Sequence, residues 1–478
     1  MTVARDTAMP RSRPSARPIL VIGLDGAEPS LVFDRWRAEL PTLDRLMSGG
    51  AWARLESTIP AITVPAWASM MSGLDPGQLG FYGFRNRIDR SYDNLAIANA
   101  RSVTRPRVWD HLSAAGGTVG LVSVPQTYPI KPLNGDVVSC FLTPSAASEY
   151  AHPAPLKAEI ESWIEGDYLV DVPDFRSEDK ARILRDIYRM SEQHYEVCRR
   201  LLTRRRYDYF MTVDMGIDRI QHAFWKFMDP HHPKHPPGNP YEQAIHDYYV
   251  HVDARLAELL DLVPDETVVL VVSDHGAQAM LGGICVNEWL VQEGYLALDA
   301  YPGQRSSIEA SGVSWPATRA WGEGGYYGRI SLNVAGREPA GTVADDAYEA
   351  ELAALTAGLL GIPDEAGRPL DSTIYRPDAI YREVRNVPPD LLVYFGPLAW
   401  RSVGSVGLQT VWTFENDLAP DDANHSRFGI FIVHDPLKPA GGQRLADQSI
   451  YDVAPTLLGW LGLTAPADLR GRPMDLAS

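Results

Sequence analysis

The chain has 478 residues, of which 45% are hydrophobic and 22% are charged, and its formal net charge is -17. A chain of this length can bury a large core with insertions, and its composition is ordinary for a globular protein. The acidic balance argues against binding to DNA or RNA, which requires a basic surface. Any site for a phosphorylated substrate must therefore carry its own local positive charge, which bound metal ions can supply.

Cysteine spacing and the first residues of the chain bear on its compartment. Cys140, Cys198 and Cys285 are widely spaced, so they give neither a CxxC pair nor a disulfide framework. The first eighteen residues are rich in Arg, Pro and Ser and lack the apolar core of a signal peptide. No stretch approaches the roughly 18 to 20 apolar residues of a membrane helix. We therefore expect a cytoplasmic protein without a membrane segment.

Apolar runs typical of buried strands alternate with segments of helical periodicity. This alternation predicts an α/β fold, a three-layer α/β/α sandwich around a central, mostly parallel sheet. The predicted strands are residues 19–24, 118–124, 137–142, 208–213, 267–273, 391–395 and 429–433, and the predicted helices include 177–204, 241–262 and 449–461.

Two stretches interrupt the alternation and read as insertions. Residues 143–176 contain many Pro, Ala and Asp residues, and residues 300–425 include loops such as Ser311 to Gly325. We expect the second stretch to form a smaller cap region. The predicted organisation is a disordered tail (1–17), the first part of a catalytic core (18–299), a cap region with some core strands (300–423) and the C-terminal part of the core (424–478).

Two segments place Asp or His at the boundary of a regular element. Asp25 follows the first apolar strand, at the edge of an α/β sheet where ligands bind. Asp218 and His222 are four residues apart and therefore share one face of a helix. Asp214 is a competing ligand, but its spacing to His222 does not suit one helical face. Each pattern alone is also common in purely structural surroundings.

Two further segments add the remaining candidates. Asp274 and His275 directly follow a buried strand, where unpaired polar groups are costly to bury, so a stabilising role is disfavoured. His425 precedes the apolar run at 429–433. Alone it would be read as a structural histidine, and it becomes a candidate ligand only because the other candidates are present. Oxygen and imidazole donors together suit Zn²⁺, with Mn²⁺ as the alternative, and six ligands are about what two catalytic ions require. The predicted ligands of two divalent metal ions are Asp25, Asp218, His222, Asp274, His275 and His425.

A hydroxyl nucleophile is available in the segment that runs from Ser57 to Gly73. Pro65 suits the first turn of a helix, which puts Thr63 at the helix N-terminus, where free N–H groups favour an anion. A threonine hydroxyl is inert at its normal pKa, and metal coordination would make its alkoxide accessible. The alternative is that Thr63 is an ordinary helix N-cap.

Taken together, these motifs resemble the alkaline phosphatase superfamily, and within it the type I phosphodiesterase and nucleotide pyrophosphatase family. The resemblance covers nearly all of residues 18–474. It rests on the Leu-Asp-Gly at 24–26, the run at 63–73, the Asp-Arg-Ile-Gln-His at 218–222, the Ser-Asp-His-Gly at 273–276, His425, and the C-terminal segments at 449–458 and 471–473.

The resemblance also implies how the candidates divide and act. It implies two ligand sets, Asp218, His222 and His425 for one ion, and Asp25, Asp274, His275 and Thr63 for the other. It further implies that the threonine attacks phosphorus to give a covalent intermediate, which water releases with overall retention at phosphorus.

One position departs from the family pattern. Phe84 stands where the nucleotide pyrophosphatases carry a phosphate-binding Asn, and Arg85 or Asn86 is the candidate replacement for that contact. This departure puts a nucleotide substrate in doubt, so the resemblance fixes the chemistry better than the substrate.

We therefore expect a metal-dependent phosphohydrolase that cleaves phosphate diesters or phosphoanhydrides of small molecules, with no nucleic-acid polymer or membrane as partner. A phosphomonoesterase is the alternative, and Arg85 or Arg87 could supply the charge that a dianion requires. A phosphomutase is less favoured, because mutases resemble a serine nucleophile pattern and carry an inserted transferase domain. The oligomeric state is not predicted.

Overall fold

The alternating segments form one large sheet and several small ones in the computed structural model, which describes residues 17–415 and 419–475. In chain order, its strands are β1 (Ile19–Leu24), β2 (Ala51–Glu56), β3 (Arg85–Arg87), β4 (Leu95–Ile97), β5 (Val119–Val122), β6 (Gly135–Val138), β7 (Ala151–His152), β8 (Tyr209–Asp214), β9 (Val268–Val272), β10 (Gly276–Ala279), β11 (Gly282–Cys285), β12 (Ala320–Glu323), β13 (Gly328–Leu332), β14 (Thr373–Tyr375), β15 (Leu391–Tyr394), β16 (Trp400–Val403), β17 (Trp412–Thr413), β18 (Ala423–Ser426), β19 (Phe428–His434), β20 (Gln443–Arg444) and β21 (Gln448–Ser449). The α-helices are α1 (Pro41–Gly49), α2 (Thr63–Ser72), α3 (Pro76–Leu79), α4 (Val108–Ala114), α5 (Pro155–Trp163), α6 (Lys180–Arg204), α7 (Gly216–Met228), α8 (Ala244–Leu260), α9 (Val286–Gln292), α10 (Tyr348–Leu360), α11 (Pro377–Ile380) and α12 (Val453–Trp460).

The central sheet has the order β20-β2-β19-β9-β1-β8-β5-β6-β7, with β21 also paired to β2. Strands β9, β1, β8, β5 and β6 are mutually parallel, whereas β19 is antiparallel to both β9 and β2. Strands β1, β8 and β9 are buried along their whole length, as expected of parallel strands that are covered on both faces. One helical group (α1, α6, α7, α8) and another (α2, α4, α12) each pack together and contact this sheet. The predicted α/β sandwich with a mostly parallel sheet is confirmed.

The strand directions bring several chain segments to one edge of the sheet. The carboxyl ends of β1, β8 and β9 meet there because these strands are parallel and in register. Since β19 runs antiparallel to β9, the residues that precede β19 arrive at the same edge. Strand β2 runs antiparallel to β19, so the chain leaves β2 and enters α2 at that edge too. The topology therefore gathers segments that are far apart in sequence.

The structure differs from the predicted elements in three places. The predicted strand at 137–142 is β6, which ends at Val138, so the chain leaves the sheet before Phe141. The predicted strand at 391–395 is β15, which lies in a separate sheet of order β12-β13-β15-β14. Residues 311–325 were expected to be loop, but part of them forms β12, which pairs with β13.

The region predicted to be a cap contains its own hydrophobic cluster. Helix α10 of this region was not among the predicted helices, although Leu352, Leu355 and Leu359 have helical spacing and are buried. The cluster also includes Ile284 and Trp289, which precede the predicted boundary at residue 300. The boundaries of the cap stay predictions.

The described residues contain no helix that combines the length and the apolar character needed to cross a membrane. The predicted disordered tail lies outside the described residues, except for Arg17, which forms an ion pair with Asp435 (N–O distance 2.5 Å).

Candidate active site

Helix α2 places a hydroxyl at the gathered edge of the sheet. The helix begins at Thr63, after Ile62 in an extended conformation, and no side chain caps its first turn. Thr63 is therefore not the N-cap residue, and its side chain is 3% exposed. Its Oγ1 lies 3.4 Å from Nε2 of His275. The first amides of the helix have no intrahelical acceptor, so the hydroxyl lies in a positive local field.

The first group of candidate metal ligands, which we call metal donors, consists of Asp25, Asp274 and His275. His275 Nε2 lies 3.1 Å from Asp274 Oδ2 and 3.8 Å from Asp25 Oδ1. Both of these carboxylate oxygens are buried and accept no hydrogen bond. The other oxygen of Asp25 accepts a hydrogen bond from Trp67 Nε1 at 2.6 Å, which fixes the carboxylate against helix α2.

The second group of metal donors consists of Asp218, His222 and His425. His222 Nε2 lies 3.2 Å from Asp218 Oδ1 and 3.3 Å from His425 Nε2. Helix α7 supplies the first two residues from one face, as their spacing predicted. His275 is also within reach of this group, because its ligand nitrogen lies within 4.8 Å of a carboxylate oxygen of Asp218 and of a ring nitrogen of His425. The two groups are therefore neighbours.

All three imidazoles present the same nitrogen to the centre of the site. Nδ1 of His275 faces the carbonyl of Gly276 at 3.0 Å, and Nδ1 of His425 faces the carbonyl of Ala61 at 2.9 Å. Nδ1 of His222 faces Oδ1 of Asp421 at 2.7 Å. Because each Nδ1 faces an acceptor, it carries the ring proton. Each Nε2 is then free of that proton and is directed at the other candidate metal ligands. This arrangement is typical of metal-binding histidines.

The charged forms of the Asp25 and Asp274 carboxyl groups are disfavoured in the absence of a cation. Burial, and then the charges of Asp274 and Asp218, raise the pKa of Asp25 well above its usual range. Burial likewise raises the pKa of Asp274 well above its usual range. Burial lowers the pKa of His275 and, helped by the neighbouring imidazoles, that of His425. A divalent cation would relieve both the repulsion and the unpaired buried oxygens, so the residues fit such ions.

Three residues that the sequence did not single out hold His222 in place. Asp421 accepts hydrogen bonds from Arg176 Nε at 2.9 Å and from the hydroxyl of Tyr326 at 2.9 Å, besides facing His222. The Tyr326 ring stacks on that of His222 with a centroid distance of 5.0 Å. A signal for Asp421 exists in the acidic pair that stands shortly before His425. Arg176 lies in an aperiodic stretch, which gives no comparable signal.

The competing ligand Asp214 has a different role. Its Oδ1 accepts hydrogen bonds from the backbone amides of Gly216 at 2.8 Å and Ile217 at 3.2 Å, at the start of α7. The hydroxyl of Tyr248 donates to the same carboxylate at 3.1 Å. Asp214 thus anchors the helix that carries Asp218 and His222.

A cavity of about 420 Å³ opens above the metal donors. Its sides are mainly aromatic and arginine residues from outside the central sheet. We call the following set the cavity wall: Phe84, Arg85, Ile97, Phe141, Phe175, Arg176, Tyr326, Tyr327, Arg329 and Arg401.

The two predicted substrate contacts separate in the structure. Arg85 belongs to the cavity wall and is exposed. Asn86 does not line the cavity, because its amide is used within its own turn: Oδ1 accepts from the amide of Tyr82 at 2.6 Å, and Nδ2 donates to the carbonyl of Gly83 at 2.8 Å. Phe84, which stands at the departure from the family pattern, lines the cavity.

The fold and the grouping of acidic and imidazole side chains agree with the resemblance to the alkaline phosphatase superfamily. The sequence profile described as type I phosphodiesterase / nucleotide pyrophosphatase matches residues 19–416. The chain therefore belongs to the type I phosphodiesterase / nucleotide pyrophosphatase family, and it is a hydrolase that acts on phosphodiester or pyrophosphate bonds.

Solved structures agree with this fold. Human ectonucleotide pyrophosphatase / phosphodiesterase 5 superposes with a TM-score of 0.53 at 13% sequence identity, over 96% of this chain and 97% of the human chain. At this identity the likeness concerns the fold alone. A comparison with curated protein sequences gives no match.

Proposed function

We propose that the protein is a metal-dependent phosphohydrolase that cleaves phosphate diesters or phosphoanhydrides of small molecules through a covalent intermediate on Thr63. The observation that carries the proposal is that His275 Nε2, which lies 3.4 Å from the Thr63 hydroxyl, belongs to two neighbouring groups of imidazoles and carboxylates. Asp25 and Asp274 each keep an unpartnered buried oxygen there. The proposed cofactors are two divalent ions, with Zn²⁺ favoured over Mn²⁺ by the imidazole donors.

The proposed residues divide the chemistry between attack and binding. The donor residues would hold the two ions, which supply positive charge to the phosphoryl group and lower the pKa of a nearby hydroxyl when they are bound. Thr63 Oγ1 would give its proton to solvent and form a bond to phosphorus while the bond to the leaving oxygen breaks, and the leaving oxygen takes a proton from solvent. Water would then attack phosphorus and break the Thr63–phosphorus bond, which returns a proton to Thr63 Oγ1 and releases the other to solvent. The start of helix α2 favours the negative charge that develops on the hydroxyl oxygen and on the phosphoryl group.

The charges beside the donors favour a diester over a monoester. Arg219 pairs with Asp171 at 2.8 Å and also with Asp218, so its charge is already balanced. Arg176 pairs with Asp421 at 2.9 Å. A phosphomonoester carries an additional negative charge that these paired arginines do not match, whereas a diester with a single charge suits them. Arg85 also lines the cavity, and no partner among the described residues balances its charge, but it is exposed, so solvent screens the charge that it could offer a dianion.

A phosphomutase has less support. Residues 64–208 are all described, and the strands within them either join the central sheet or form the short β3–β4 hairpin. No second α/β domain lies in this stretch, where a mutase would carry its transferase domain.

A substrate panel tests the proposed function. Purified protein with added Zn²⁺ or Mn²⁺ is assayed on para-nitrophenyl phosphate, bis-para-nitrophenyl phosphate and nucleoside di- and triphosphates, with Thr63→Ala as the matched control. We expect at least about tenfold higher kcat/KM on diesters or anhydrides than on the monoester, an advantage of about 1.4 kcal/mol in transition-state binding. A higher kcat/KM on the monoester would establish the phosphomonoesterase instead.

A further inference from the structure

The six metal donors come from four separate chain segments, which must keep a fixed spacing. These segments are the turn after β1, helix α7, the turn between β9 and β10, and strand β18. Behind the donors, side chains that are not donors join these segments through hydrogen bonds. Glu28 and Gln221 are the two central residues of this set.

Gln221 ties helix α7 to the turn that follows β1. It stands on the helix between Asp218 and His222, and its Nε2 donates to the carbonyl of Gly26 at 2.8 Å. Its Oε1 accepts from the hydroxyl of Tyr249 at 3.2 Å, and that hydroxyl also accepts from the backbone amide of Glu28 at 3.2 Å. Helix α7 is therefore bound to the Asp25 turn by a direct and an indirect route.

The Glu28 carboxylate ties the same turn to the two remaining segments. Its Oε2 accepts from the backbone amide of Ala277 at 3.2 Å and from the hydroxyl of Ser426 at 2.9 Å. Ala277 stands two residues after His275, and Ser426 directly follows His425. The other oxygen of Glu28 accepts from the amide and hydroxyl of Ser30 at 3.2 and 3.0 Å. Both oxygens of Glu28 are thus satisfied by the protein.

The close approach of Glu28 to β10 and β18 requires a glycine. A Cβ atom at Gly276 would lie 2.4 Å from Glu28 Oε2, 2.4 Å from Ser426 Oγ and 2.3 Å from the carbonyl oxygen of Phe428. These distances are far below van der Waals contact. Gly276, between His275 and Ala277, therefore leaves room for the Glu28 carboxylate. This is a second and independent sign that the junction between these strands is built around Glu28.

We propose that Glu28 and Gln221 are positioning residues that set the spacing between the two groups of metal donors. The inference rests on the proposed function, since it assumes that the donors bind metal ions. Glu28 holds the Asp25 turn against the His275 and His425 segments, and Gln221 holds it against α7. Loss of such supporting contacts typically weakens metal affinity by about 10- to 100-fold.

Metal affinity tests the role of Glu28 separately from fold stability. Zn²⁺ affinity is measured by competition with a chelator, and the melting temperature of the metal-free protein is recorded in parallel. Glu28→Ala should weaken Zn²⁺ binding by about 10- to 100-fold. Glu28→Gln keeps an oxygen for Ala277 and Ser426 and an amide that can donate to the Ser30 hydroxyl, so it should stay within about threefold of the wild-type affinity.

The matched control is Asp253→Asn. Asp253 is also a buried carboxylate, but it accepts hydrogen bonds from the backbone amides of Thr42 at 2.9 Å and Leu43 at 2.8 Å, at the start of α1. This variant should lower the melting temperature and leave Zn²⁺ affinity unchanged. If Glu28→Ala behaves like this control, the positioning role is refuted. If Glu28→Ala does not fold, Ser426→Ala takes its place, because it removes only one hydroxyl. We expect this variant to lose Zn²⁺ affinity, and an unchanged affinity would refute the positioning role.

The outcome for the wild-type protein separates the two proposals. Wild-type protein that binds close to two Zn²⁺ ions while Glu28→Ala keeps full affinity would overturn the positioning role and leave the proposed function intact. Wild-type protein that binds no Zn²⁺ or Mn²⁺ would overturn the proposed function, and the positioning role with it.

Discussion

The metal donors and the cavity wall lie against each other but are built in different ways. The donors stand at the gathered edge of the central sheet, where strand order and direction determine their position. The cavity wall comes mainly from the β3–β4 hairpin, from the loop that contains Phe175 and from the segment that runs from Tyr326 into β13. The segment after β6 and strand β16 add Phe141 and Arg401. The comparison suggests that the sheet edge determines the reaction, while the surrounding segments determine which substrate reaches it.

The two regions also differ in how their charges are compensated. Asp25 and Asp274 keep buried oxygens without a protein partner. In the cavity wall, Arg176 pairs with Asp421, and Arg329 pairs with Glu323 at 2.7 Å. Changes among the donors should therefore alter metal binding and kcat, whereas changes in the wall should alter mainly KM. The predictions below test this division.

The largest effect is expected at the nucleophile. Thr63→Ala should lower kcat by about three orders of magnitude or more, because it closes the covalent path, while metal content and melting temperature remain. Thr63→Ser should keep part of the rate, since the oxygen stays. Steady-state kinetics and elemental analysis measure both results.

The matched control for Thr63 is the nearby Thr58. Its hydroxyl donates to the carbonyl of Pro60 at 2.6 Å and is not directed at the donors. Thr58→Ala should keep near-normal kcat. An inactive Thr58→Ala together with an active Thr63→Ala would mean that this segment is misassigned.

The next largest effect concerns the pH dependence of metal binding. The raised pKa values of Asp25 and Asp274 mean that the metal-free site binds protons that a metal ion must displace. A raised pKa means that burial favours the protonated form of these carboxyls in the folded, metal-free protein, so metal affinity should fall as pH falls. Chelator competition over a range of pH values measures this effect, and we expect the metal affinity to fall steadily toward acidic pH. An affinity that is constant over this range would contradict the role of these carboxyls.

A smaller effect is expected where the cavity wall touches the donors. Tyr326→Phe keeps the ring against His222 but removes the hydroxyl that donates to Asp421. We expect about a tenfold lower kcat/KM, close to 1.4 kcal/mol, with metal content unchanged. Loss of one bound ion in this variant would show that Tyr326 acts through the metal donors and not through the wall.

The smallest effect is expected at the cavity mouth. Among the described residues, Arg85 has no side-chain hydrogen bond or ion pair that balances its charge, and it is exposed at the cavity. Arg85→Ala should raise KM about threefold for an anionic substrate and leave kcat unchanged, as expected for an exposed charge. Arg101→Ala, at an exposed position outside the cavity wall, is the control. A lower kcat for Arg85→Ala would contradict this expectation, because it would mean that Arg85 affects the reaction step as the metal donors do.

Sequence reasoning succeeded where the fold itself determines position. Asp274 and His275 follow a buried strand, and the rule that ligands bind at the carboxyl edge of such sheets was enough to bring them near Asp25. To place His425 at the same edge, one must know that β19 is antiparallel to its neighbours. The apolar run at 429–433 does not reveal that direction. The fold and the family are confirmed, whereas the roles of the individual site residues stay predictions.

The cavity wall was harder to predict because its members meet only through tertiary packing. Arg176 donates to the hydroxyl of Tyr326, which stands 150 residues away in sequence. Asn86 was a reasonable substrate contact by spacing, but its short side chain can reach the backbone of its own turn, and the structure uses it there. Local pattern carries no information about either outcome.

The most direct test of the central claim is the stereochemical course at phosphorus. A chiral phosphorothioate diester is hydrolysed in ¹⁸O-labelled water, and the configuration of the product is determined by ³¹P nuclear magnetic resonance. Attack by Thr63 followed by attack of water gives two inversions, so the account predicts overall retention. Overall inversion would mean a single displacement by water, and it would contradict a covalent intermediate on Thr63.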